Sequence, residues 1–488
     1  MSRPLIVETV TARSAADLRA HRDAASLADL VELRLDLLDR PDADAALAGR
    51  TRPVIVTCRA AWEGGGFRGE ETERVAILRR ALALGADYVD LEWRSPDAMA
   101  LLDEQTRRRV IVSLHDFEGI PSDLEELAAA MRSSGAAIVK LAVTPGRLAD
   151  LVRLLALGRS WPQDGETRLV LIAMGTCGLP TRLLPGHFGS CWTYAGNGVA
   201  PGQVPVSRLI HEFGFRRVTP ATPVYAIAGR PVGHSVSPAM HNAAFAAHGI
   251  DAVYIPCEPA DFDDFLAFAE ALPIAGASVT APFKEAAAAA AQAEPGTALN
   301  TLRRQPGGGW AGLNTDIDGF MAPLAGERLQ GMRAAVIGAG GSARAVVTGL
   351  TAAGARVTVH ARRPEAARKL AEAFGAQAGA WPVEPGSWDL LVNTTPVGTF
   401  PDVDASPLAG LPLDGRLVYD LIYNPRPTRL LRDAAASGCR TIDGLEMLVQ
   451  QAVRQFAWWT GVTPAASLLR QAAERRLAEM APLAPAGQ

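Results

Sequence analysis

Two side chains in the first half of the chain are of types suited to covalent chemistry. Lys140 stands in the otherwise apolar run 136–143, and His115 ends the strand-like run 110–115. A lysine in such a strand either extends its amine to the rim of the sheet or keeps it desolvated, partly deprotonated and nucleophilic. Lys140 alone leaves both interpretations open. An inward-facing histidine on the adjacent strand favours the second, so the pair predicts imine chemistry with His115 as proton shuttle.

Charged side chains alternate with apolar ones in an earlier strand. Period two places Glu32, Arg34 and Asp36 on one face. These charges mark an exposed face, unless helices cover the outside of the sheet. In that case the charged side chains point inward, where each must be neutralised by another of them or by a ligand. Arg59 and Glu63 lie in a glycine-rich segment after the third strand. The loops that follow barrel strands carry the catalytic groups of a barrel, so this segment belongs to the active face.

A glycine-rich turn in the second half has the spacing of a dinucleotide-binding motif. Residues 338–343 read Gly-Ala-Gly-Gly-Ser-Ala, between the strand-like run Arg333–Ile337 and the predicted helix Arg344–Ala352. A bare glycine motif is weak evidence. The strand before it and the helix after it supply the context in which a helix N-terminus binds pyrophosphate, so we predict a Rossmann nucleotide site.

The end of the next strand indicates which dinucleotide binds. NAD-binding folds usually carry an acid there for the ribose hydroxyls. In this chain His360 and Ala361 are followed by Arg362 and Arg363, which favour a 2′-phosphate and therefore NADP. The alternative is that two solvated arginines begin a helix, but that loop borders the adenosine pocket of such folds.

Three further segments of the second half carry polar groups that are ordinary when taken singly. Ser235 and Ser237 lie in a hydroxyl-rich loop, Lys284 is predicted to end a strand, and Asp316 follows Gly312–Thr315. A turn, a surface lysine and an Asx cap explain them equally well.

The elements that must position the first group alternate between strand and helix. Helical segments such as Thr72–Leu84 and Ser122–Ser133 separate eight apolar runs. Eight strand–helix repeats predict a compact (β/α)₈ barrel. The runs are Leu5–Val10, Leu30–Leu37, Val54–Cys58, Tyr88–Glu92, Val110–His115, Ala137–Val143, Leu169–Met174 and Cys191–Tyr194.

A different α/β pattern begins after the junction Arg216–Pro223. It predicts strands at Tyr225–Ala228, Ala252–Ile255 and Ala275–Thr280, and it reaches Asp316 through the glycine-rich stretch Pro306–Gly309. The Rossmann unit follows. The chain is therefore α/β throughout, with a barrel fused to a two-domain α/β unit.

Composition narrows the class of protein. The 488 residues have a net charge of −4 and no basic run, which argues against nucleic-acid binding. Five scattered cysteines without a CxxC pair indicate a reducing compartment, without disulfides or zinc. We find neither a secretory leader nor a run long enough to span a membrane, so we expect a cytoplasmic protein.

The first half resembles type I 3-dehydroquinate dehydratase. The similarity rests on residues 32–36, 57–59, 113–117, 139–142 and 200–203. It implies that Lys140 forms an imine with the substrate, that His115 moves the protons and that Glu63 assists. Val199 stands where the family usually has Ser or Thr. The resemblance further implies that the substrate is held by Glu32, Arg34, Arg59, Arg182 and Gln203.

The second half resembles shikimate dehydrogenase, through the segments already named together with 393–396 and 444–452. This implies that Lys284 and Asp316 are the catalytic pair. Ser278 and Ala361 each replace a more usual Asn. The implied substrate ligands are Ser235, Ser237, Thr280, Asn300, Tyr423 and Gln451. The implied NADP ligands are Gly338, Gly340, Gly341, Ser342, Ala343, Arg362, Arg363, Asn393, Thr394, Gly444 and Met447.

Together the two resemblances imply a bifunctional enzyme of the shikimate pathway, because the product of the first reaction is the substrate of the second. We predict a barrel at 1–217, a substrate-binding domain at 222–324 and a Rossmann domain at 325–488 whose C-terminal helices return to the substrate domain. Small molecules are the expected partners, no metal is expected, and the oligomeric state stays open.

The alternatives are a non-catalytic regulator and a quinate enzyme that prefers NAD. Lys140, His115, Lys284 and Asp316 oppose the first, and the arginines after His360 oppose the second.

Overall fold

The computed structural model describes residues 3–162, 165–198, 200–294 and 297–480. Val199, the departure noted in the first half, lies outside the described residues. Internal contacts separate two compact units. The first runs to His234 and includes Asp251–Ala275, and the second comprises Ser235–Ile250 and the chain from Gly276 onward.

A (β/α)₈ barrel forms most of the first unit, as the alternating pattern predicted. Its parallel strands follow one another in chain order, and the bridge between Leu169 and Ser190 joins the seventh and eighth. The strands are β1 (Leu5–Val10), β2 (Leu30–Arg34), β3 (Val54–Thr57), β4 (Tyr88–Glu92), β5 (Val110–Asp116), β6 (Ile138–Val143), β7 (Arg168–Ala173) and β8 (Trp192–Ala195).

Helices cover the outside of the barrel, so the strands are buried on both faces and read as apolar runs. One prediction for this region is wrong in detail. Asp36 belongs to a 3₁₀ turn, Leu35–Leu37, because β2 ends at Arg34. The helices are α1 (Ala15–Ala24), α2 (Ala43–Leu47), α3 (Glu71–Ala83), α4 (Pro96–Met99), α5 (Leu124–Ser133), α6 (Leu151–Ser160), α7 (Leu179–Leu183) and α8 (Val206–His211).

The rest of the first unit packs on the barrel through a buried carboxylate. β9 (Val224–Ala228) pairs in parallel with β10 (Val253–Cys257), and α10 (Phe262–Ala271) follows. Asp264 on α10 is fully buried and accepts hydrogen bonds from the amides of Leu148 and Ala149 at 3.0 and 2.6 Å. The guanidinium of Arg147 lies 3.0 Å from the same carboxylate, which therefore satisfies free amides that precede α6.

The second unit contains an antiparallel ladder that the sequence did not reveal. β12 (Thr301–Arg304) and β13 (Trp310–Leu313) form a hairpin next to β11 (Ile274–Val279). These two strands are only four residues long and partly polar, so they lack a clear pattern. Lys284 does not end a strand as predicted. It is the first residue of a helix, which opens five residues after β11. The helices here are α9 (Ser237–Ala247), α11 (Lys284–Ala290) and α12 (Asp316–Met321).

A six-stranded parallel sheet of Rossmann type completes the second unit, with the order β16-β15-β14-β17-β18-β19. The helix after the glycine turn begins at Gly341, three residues before the predicted start, because Gly340 is its N-cap. The strands are β14 (Arg333–Ile337), β15 (Arg356–His360), β16 (Gln377–Gly379), β17 (Leu390–Asn393), β18 (Leu417–Asp420) and β19 (Arg440–Ile442). The helices are α13 (Gly341–Ala352), α14 (Pro364–Phe374), α15 (Arg429–Ala436), α16 (Gly444–Thr460) and α17 (Ala466–Met480).

The last two helices return to the start of the second unit, where α16 and α17 pack against α9. Among the described residues, no helix has the length and apolar character needed to cross a membrane.

Candidate active sites

A cavity of about 180 Å³ opens at the carboxyl ends of the barrel strands. Parallel strands bring their carboxyl ends to one edge, which is why residues far apart in sequence meet there. The predicted residues of the first half share this cavity. Its lining includes Glu32, Arg34, Arg59, Glu63, His115, Lys140, Arg182 and Gln203, together with Thr9 and Tyr194.

Lys140 is buried inside the barrel and does not extend to its rim. Its side chain is 7% exposed, and Nζ lies 3.1 Å from Asp90 Oδ2 and 3.9 Å from Glu32 Oε1. The Tyr194 ring stands 4.3 Å from the same nitrogen. Two carboxylates and an aromatic face therefore hold the amine in place, pointing into the cavity.

Asp90 and Glu92 are functional candidates that sequence reasoning missed. Both are fully buried on β4, and Arg59 bridges them, with Nη2 2.9 Å from Asp90 and Nη1 3.1 Å from Glu92. Burial alone would raise the pKa of Asp90, but the charges of Arg59 and Lys140 hold that pKa well below its usual range. The signal was present, since period two on β4 places both acids on the inward face, as on β2.

His115 and Glu63 form a second pair in the cavity. His115 Nδ1 lies 3.1 Å from Glu63 Oε2. Burial, reinforced by the charges of Arg59 and Lys140, holds the pKa of His115 well below its usual value, so the imidazole is neutral at pH 7. Burial also raises the pKa of Glu63 to about 7, against the opposing charge of Arg59. A neutral imidazole beside a carboxyl group that titrates near neutrality is suited to move protons.

The predicted substrate ligands on β2 are held by neighbours. Glu32 accepts hydrogen bonds from the hydroxyls of Thr9 and Thr57, both at 2.8 Å. Arg34 makes a two-fold ion pair with Asp36, at 2.9 and 2.7 Å. The charged groups on this face are thus partly paired with each other. The side chains of Glu32 and Arg34 still line the cavity.

Arg182 retains an unused donor. Its Nη atoms donate to the carbonyls of Tyr194 and Pro201, at 3.2 and 3.1 Å, while Nε is buried without an acceptor among the described residues. Burial lowers the pKa of Arg182 to about 10, which still leaves it cationic at neutral pH. Gln203 lies beside it in the lining and donates to Thr9 at 3.5 Å. A buried guanidinium with a free N–H is suited to an anionic ligand.

A second group of predicted residues meets in the second unit. Lys284 Nζ donates to Asp316 Oδ2. The amide of Asn300 lies 2.8 Å from the other Asp316 oxygen and 3.0 Å from Gln451 Oε1. Residues from α11, α12, α16 and the start of β12 therefore converge, and their amide and carboxylate groups can bind hydroxyl groups beside the Lys284 amine.

The other predicted substrate ligands of this unit are not part of this hydrogen-bonded group. The amide of Ser237 donates to Ser235 Oγ at 3.2 Å. Thr280 and Tyr423 are half-buried, and burial raises the pKa of Tyr423. Ser278, the departure from the family pattern, donates to Gln455 Oε1 at 2.8 Å and is therefore not an unused polar group.

The glycine turn has room for a dinucleotide. Gly338 has a φ of +111°, and a Cβ atom there would lie 2.4 Å from Thr394 Oγ1, so only glycine fits. At Gly340 and Gly341 a Cβ would meet open space. The first amides of α13, near Ser342 and the buried Ala343, border this space, which suits a pyrophosphate at a helix N-terminus.

The remaining predicted cofactor ligands have different environments. Arg362 and Arg363 are exposed and make no ion pair within the described residues, so both guanidiniums are available to a phosphate. Asn393 is buried and donates to Asp420 at 2.9 Å, and Thr394 donates to Ile337 O, so both hold the neighbouring turn. Gly444 begins α16, where a Cβ atom would lie 2.0 Å from Leu421 O, and Met447 packs in the core of the sheet.

Comparison with family models assigns each part of the chain separately. Type I 3-dehydroquinase matches residues 6–218, and the shikimate dehydrogenase substrate binding domain matches 227–302. The shikimate 5′-dehydrogenase C-terminal domain matches 444–474, and a model described as NADP oxidoreductase, coenzyme F420-dependent, matches 333–392.

Relatives match either most of the chain or about half of it. The bifunctional 3-dehydroquinate dehydratase/shikimate dehydrogenase of Arabidopsis thaliana, described as chloroplastic, is 36% identical over 89% of this chain and 78% of its own. An NADP(+) shikimate dehydrogenase from Synechococcus sp. (strain JA-3-3Ab) is 40% identical over 54% of this chain and 98% of its own. The shikimate 5-dehydrogenase of Thermus thermophilus, a structure with NADP(H) and shikimate, has a TM-score of 0.47 at 37% identity, over 52% of this chain and 99% of that one.

Proposed function

The chain belongs to the family of bifunctional 3-dehydroquinate dehydratase/shikimate dehydrogenases, and we propose that the two sites described above carry out its two reactions. The enzyme dehydrates 3-dehydroquinate to 3-dehydroshikimate and then reduces that product to shikimate with NADPH. The observation that carries the first assignment is the buried Lys140 amine beside the His115–Glu63 pair. A coupled assay of the purified chain with 3-dehydroquinate and each nicotinamide cofactor tests both reactions.

In the dehydration, Lys140 passes its proton to a neighbouring base and attacks the substrate ketone, and loss of water gives an iminium. His115, with Nδ1–H donated to the Glu63 carboxylate, uses Nε2 to remove the adjacent carbon-bound proton. The enamine then expels the hydroxyl, which leaves as water with the proton from His115. Hydrolysis of the imine releases 3-dehydroshikimate and restores the Lys140 amine.

In that reaction the substrate hydroxyls and carboxylate need fixed partners. The unused Nε–H of Arg182 supports a role in binding the carboxylate, together with Gln203 beside it. Glu32 and Arg34, which line the same cavity, bind ring hydroxyls. Arg59 also lines the cavity and contributes to substrate binding, while Asp90 and Glu92 hold its guanidinium in place.

In the reduction, NADPH supplies the hydride when it is bound at the glycine turn. Lys284 donates a proton to the ketone oxygen as the alcohol forms, and Asp316 orients the Lys284 amine and a ring hydroxyl. Asn300 and Gln451 hold further hydroxyls, while Ser235 and Ser237 bind the carboxylate. Hydrogen bonds among Lys284, Asp316 and Asn300 support this arrangement.

The exposed arginines after β15 support the choice of NADPH, so replacing Arg362 is expected to weaken that cofactor selectively. A hydrogen bond to a charged group contributes about 1.5–3 kcal/mol, so Arg362→Ala should lower kcat/KM for NADPH roughly tenfold or more. NADH lacks the 2′-phosphate and should be nearly unaffected. Arg362→Asp should go further, because its carboxylate repels the phosphate and accepts from the ribose hydroxyls.

The measurement is kcat/KM for each cofactor with 3-dehydroshikimate. Arg363 is equally exposed, so the Arg362/Arg363 double variant is the cleaner test. Arg368→Ala, on the exposed face of the helix α14 that follows these two residues, is the control. A wild-type enzyme that prefers NADH, or a double variant with unchanged preference, would contradict the assigned phosphate contact and favour the quinate alternative.

We also propose the domain boundaries 1–217, 222–324 and 325–488. Fragment 1–217 should dehydrate and fragment 222–488 should reduce. The barrel fragment lacks Asp264, which accepts hydrogen bonds from the Leu148 and Ala149 amides. Loss of such a cap lowers the free energy of unfolding by about 0.5–2 kcal/mol. It should therefore unfold at a lower temperature than the barrel in the full chain.

Thermal unfolding of full-chain Asp264→Asn should reproduce this loss, whereas Asp263→Asn, exposed on the same turn of α10, should not. A folded but inactive fragment would show that the boundary at 217 is wrong.

A cytoplasmic location is part of the proposal. All five cysteines are free, which is typical of a reducing compartment. The partners are small molecules, namely the substrates and NADP. Fractionation of cells with an antibody against the chain tests the location.

A further inference from the structure

Arg74, an arginine on the outer helix α3, is buried behind the dehydratase cavity. Its side chain is 0% exposed, and Nη1 donates to Glu92 Oε2 and to Cys58 O, the latter at 3.0 Å. Nε and Nη2 make a two-fold pair with Glu71, at 2.8 and 2.6 Å. A desolvated guanidinium is unfavourable unless every donor is matched, so these contacts fix its place tightly.

Glu92 lies between two guanidiniums. Oε2 accepts from Arg74, and Oε1 lies 3.1 Å from Arg59 Nη1. Arg59 continues the chain of contacts to Glu63 at 3.4 Å, and Glu63 reaches His115 at 3.1 Å. The path from α3 to the imidazole therefore consists of three buried ion pairs and a final contact between Glu63 and the neutral His115 ring, and each contact restricts the next.

We propose that Arg74 is a positioning residue for the dehydration: it holds Glu92 against Arg59 and thereby sets the place of Glu63 beside His115. The inference rests on the proposed roles of Glu63 and His115. Without Arg74, Glu92 would have Arg59 as its only cationic partner among the described residues, and Arg59 would move toward Glu92 at the expense of its longer contact with Glu63.

The same arrangement has an electrostatic consequence for Glu63. The charged and titratable groups that face Glu63 are Arg59, Glu92, Asp90 and His115. Burial raises the pKa of Glu63 to about 7, Arg59 opposes the rise, and the Glu92 and Asp90 charges add to it. The Arg74 cation neutralises Glu92, so its removal raises the pKa of Glu63 further. Burial holds the pKa of His115 well below its usual value and raises that of Glu63, so the acid limb of the rate profile follows ionisation of Glu63.

The test is the pH profile of dehydration by the full chain carrying Arg74→Met. The midpoint of the acid limb of kcat should move up by about one pH unit, because one uncompensated charge then acts on Glu63. Arg74→Lys keeps the cation, so its midpoint should stay near that of the wild type while kcat falls because the two-fold pair is lost. The matched control is Arg79→Met, on the exposed face of α3.

A second pair of variants keeps the test decisive if Arg74→Met fails to fold. Glu92→Gln removes the charge that Arg74 neutralises and should move the midpoint down, and the double variant Arg74→Met/Glu92→Gln should return it toward the wild type. An Arg74→Met enzyme that only melts at a lower temperature, with midpoint and kcat unchanged, overturns the proposal. The proposal is also overturned if the double variant has an acid-limb midpoint as high as that of Arg74→Met. A wild-type chain that does not dehydrate 3-dehydroquinate would instead contradict the proposed function.

Discussion

Dehydration of 3-dehydroquinate is expected to fall by about a thousandfold or more when Lys140 is replaced by alanine, because no other described residue that lines the cavity carries an amine able to form an imine. Loss of a covalent nucleophile removes the step on which the other catalytic groups act. The measurement is kcat at saturating substrate. Reduction of added 3-dehydroshikimate by the same variant should be unchanged, since Lys284 and Asp316 lie in the other unit.

Borohydride added with 3-dehydroquinate should trap the imine on Lys140, and the sequence makes the adduct simple to locate. The chain has only three lysines, Lys140, Lys284 and Lys369. Peptide mass spectrometry should find the reduced adduct on Lys140 in the wild type and in Lys284→Ala, and should find none in Lys140→Ala. Intact dehydration without an adduct would contradict the imine mechanism and point to an enolate.

The barrel was predictable because a single physical rule governs each of its strands. Parallel strands covered by helices are buried on both faces, so they appear as short apolar runs at regular intervals. A charged residue inside such a run is conspicuous, and this is how Lys140 was found. The boundary at Asp36 was not predictable, because the alternation of residues continues beyond the end of the strand into the 3₁₀ turn.

The parts of the barrel site that were missed differ in kind. Asp90 and Glu92 carry the same alternating signal as Glu32 and Arg34, so the rule that found one pair could have found the other. Arg74 carries no such signal. An arginine on an amphipathic helix is normally a surface residue. Its burial here depends on Glu71, three residues earlier on the same helix, and on Glu92, which belongs to β4.

The site in the second unit was harder to predict from the sequence, because it depends on contacts that only the folded chain makes. Lys284, Asn300, Asp316 and Gln451 each stand in ordinary local sequence, and only the fold brings them together. Family resemblance supplied their grouping where local patterns did not. The hairpin that follows Asn300 was invisible for a related reason, since two strands of four residues are too short to show a period.

Replacing Lys284 by methionine is expected to lower kcat for the reduction of 3-dehydroshikimate by about 10²–10⁴-fold, the usual range for loss of a proton donor. Methionine keeps most of the length and the apolar stem of lysine, so packing at the start of α11 is disturbed little. The proton must then come from water, which lacks the fixed position that Asp316 gives to the Lys284 amine.

The comparison of Lys284→Met with two other variants separates proton transfer from binding. Asn300→Ala removes contacts to Asp316 and Gln451 and should raise KM for the substrate more than it lowers kcat, because it acts on binding. Lys369→Met, on the exposed face of α14, should behave as the wild type. Dehydration should be unchanged in all three, as measured with 3-dehydroquinate alone. A Lys284→Met enzyme with normal kcat and raised KM would show that Lys284 only binds the substrate, and the proton donor would then have to be sought among Asp316, Tyr423 and bound water.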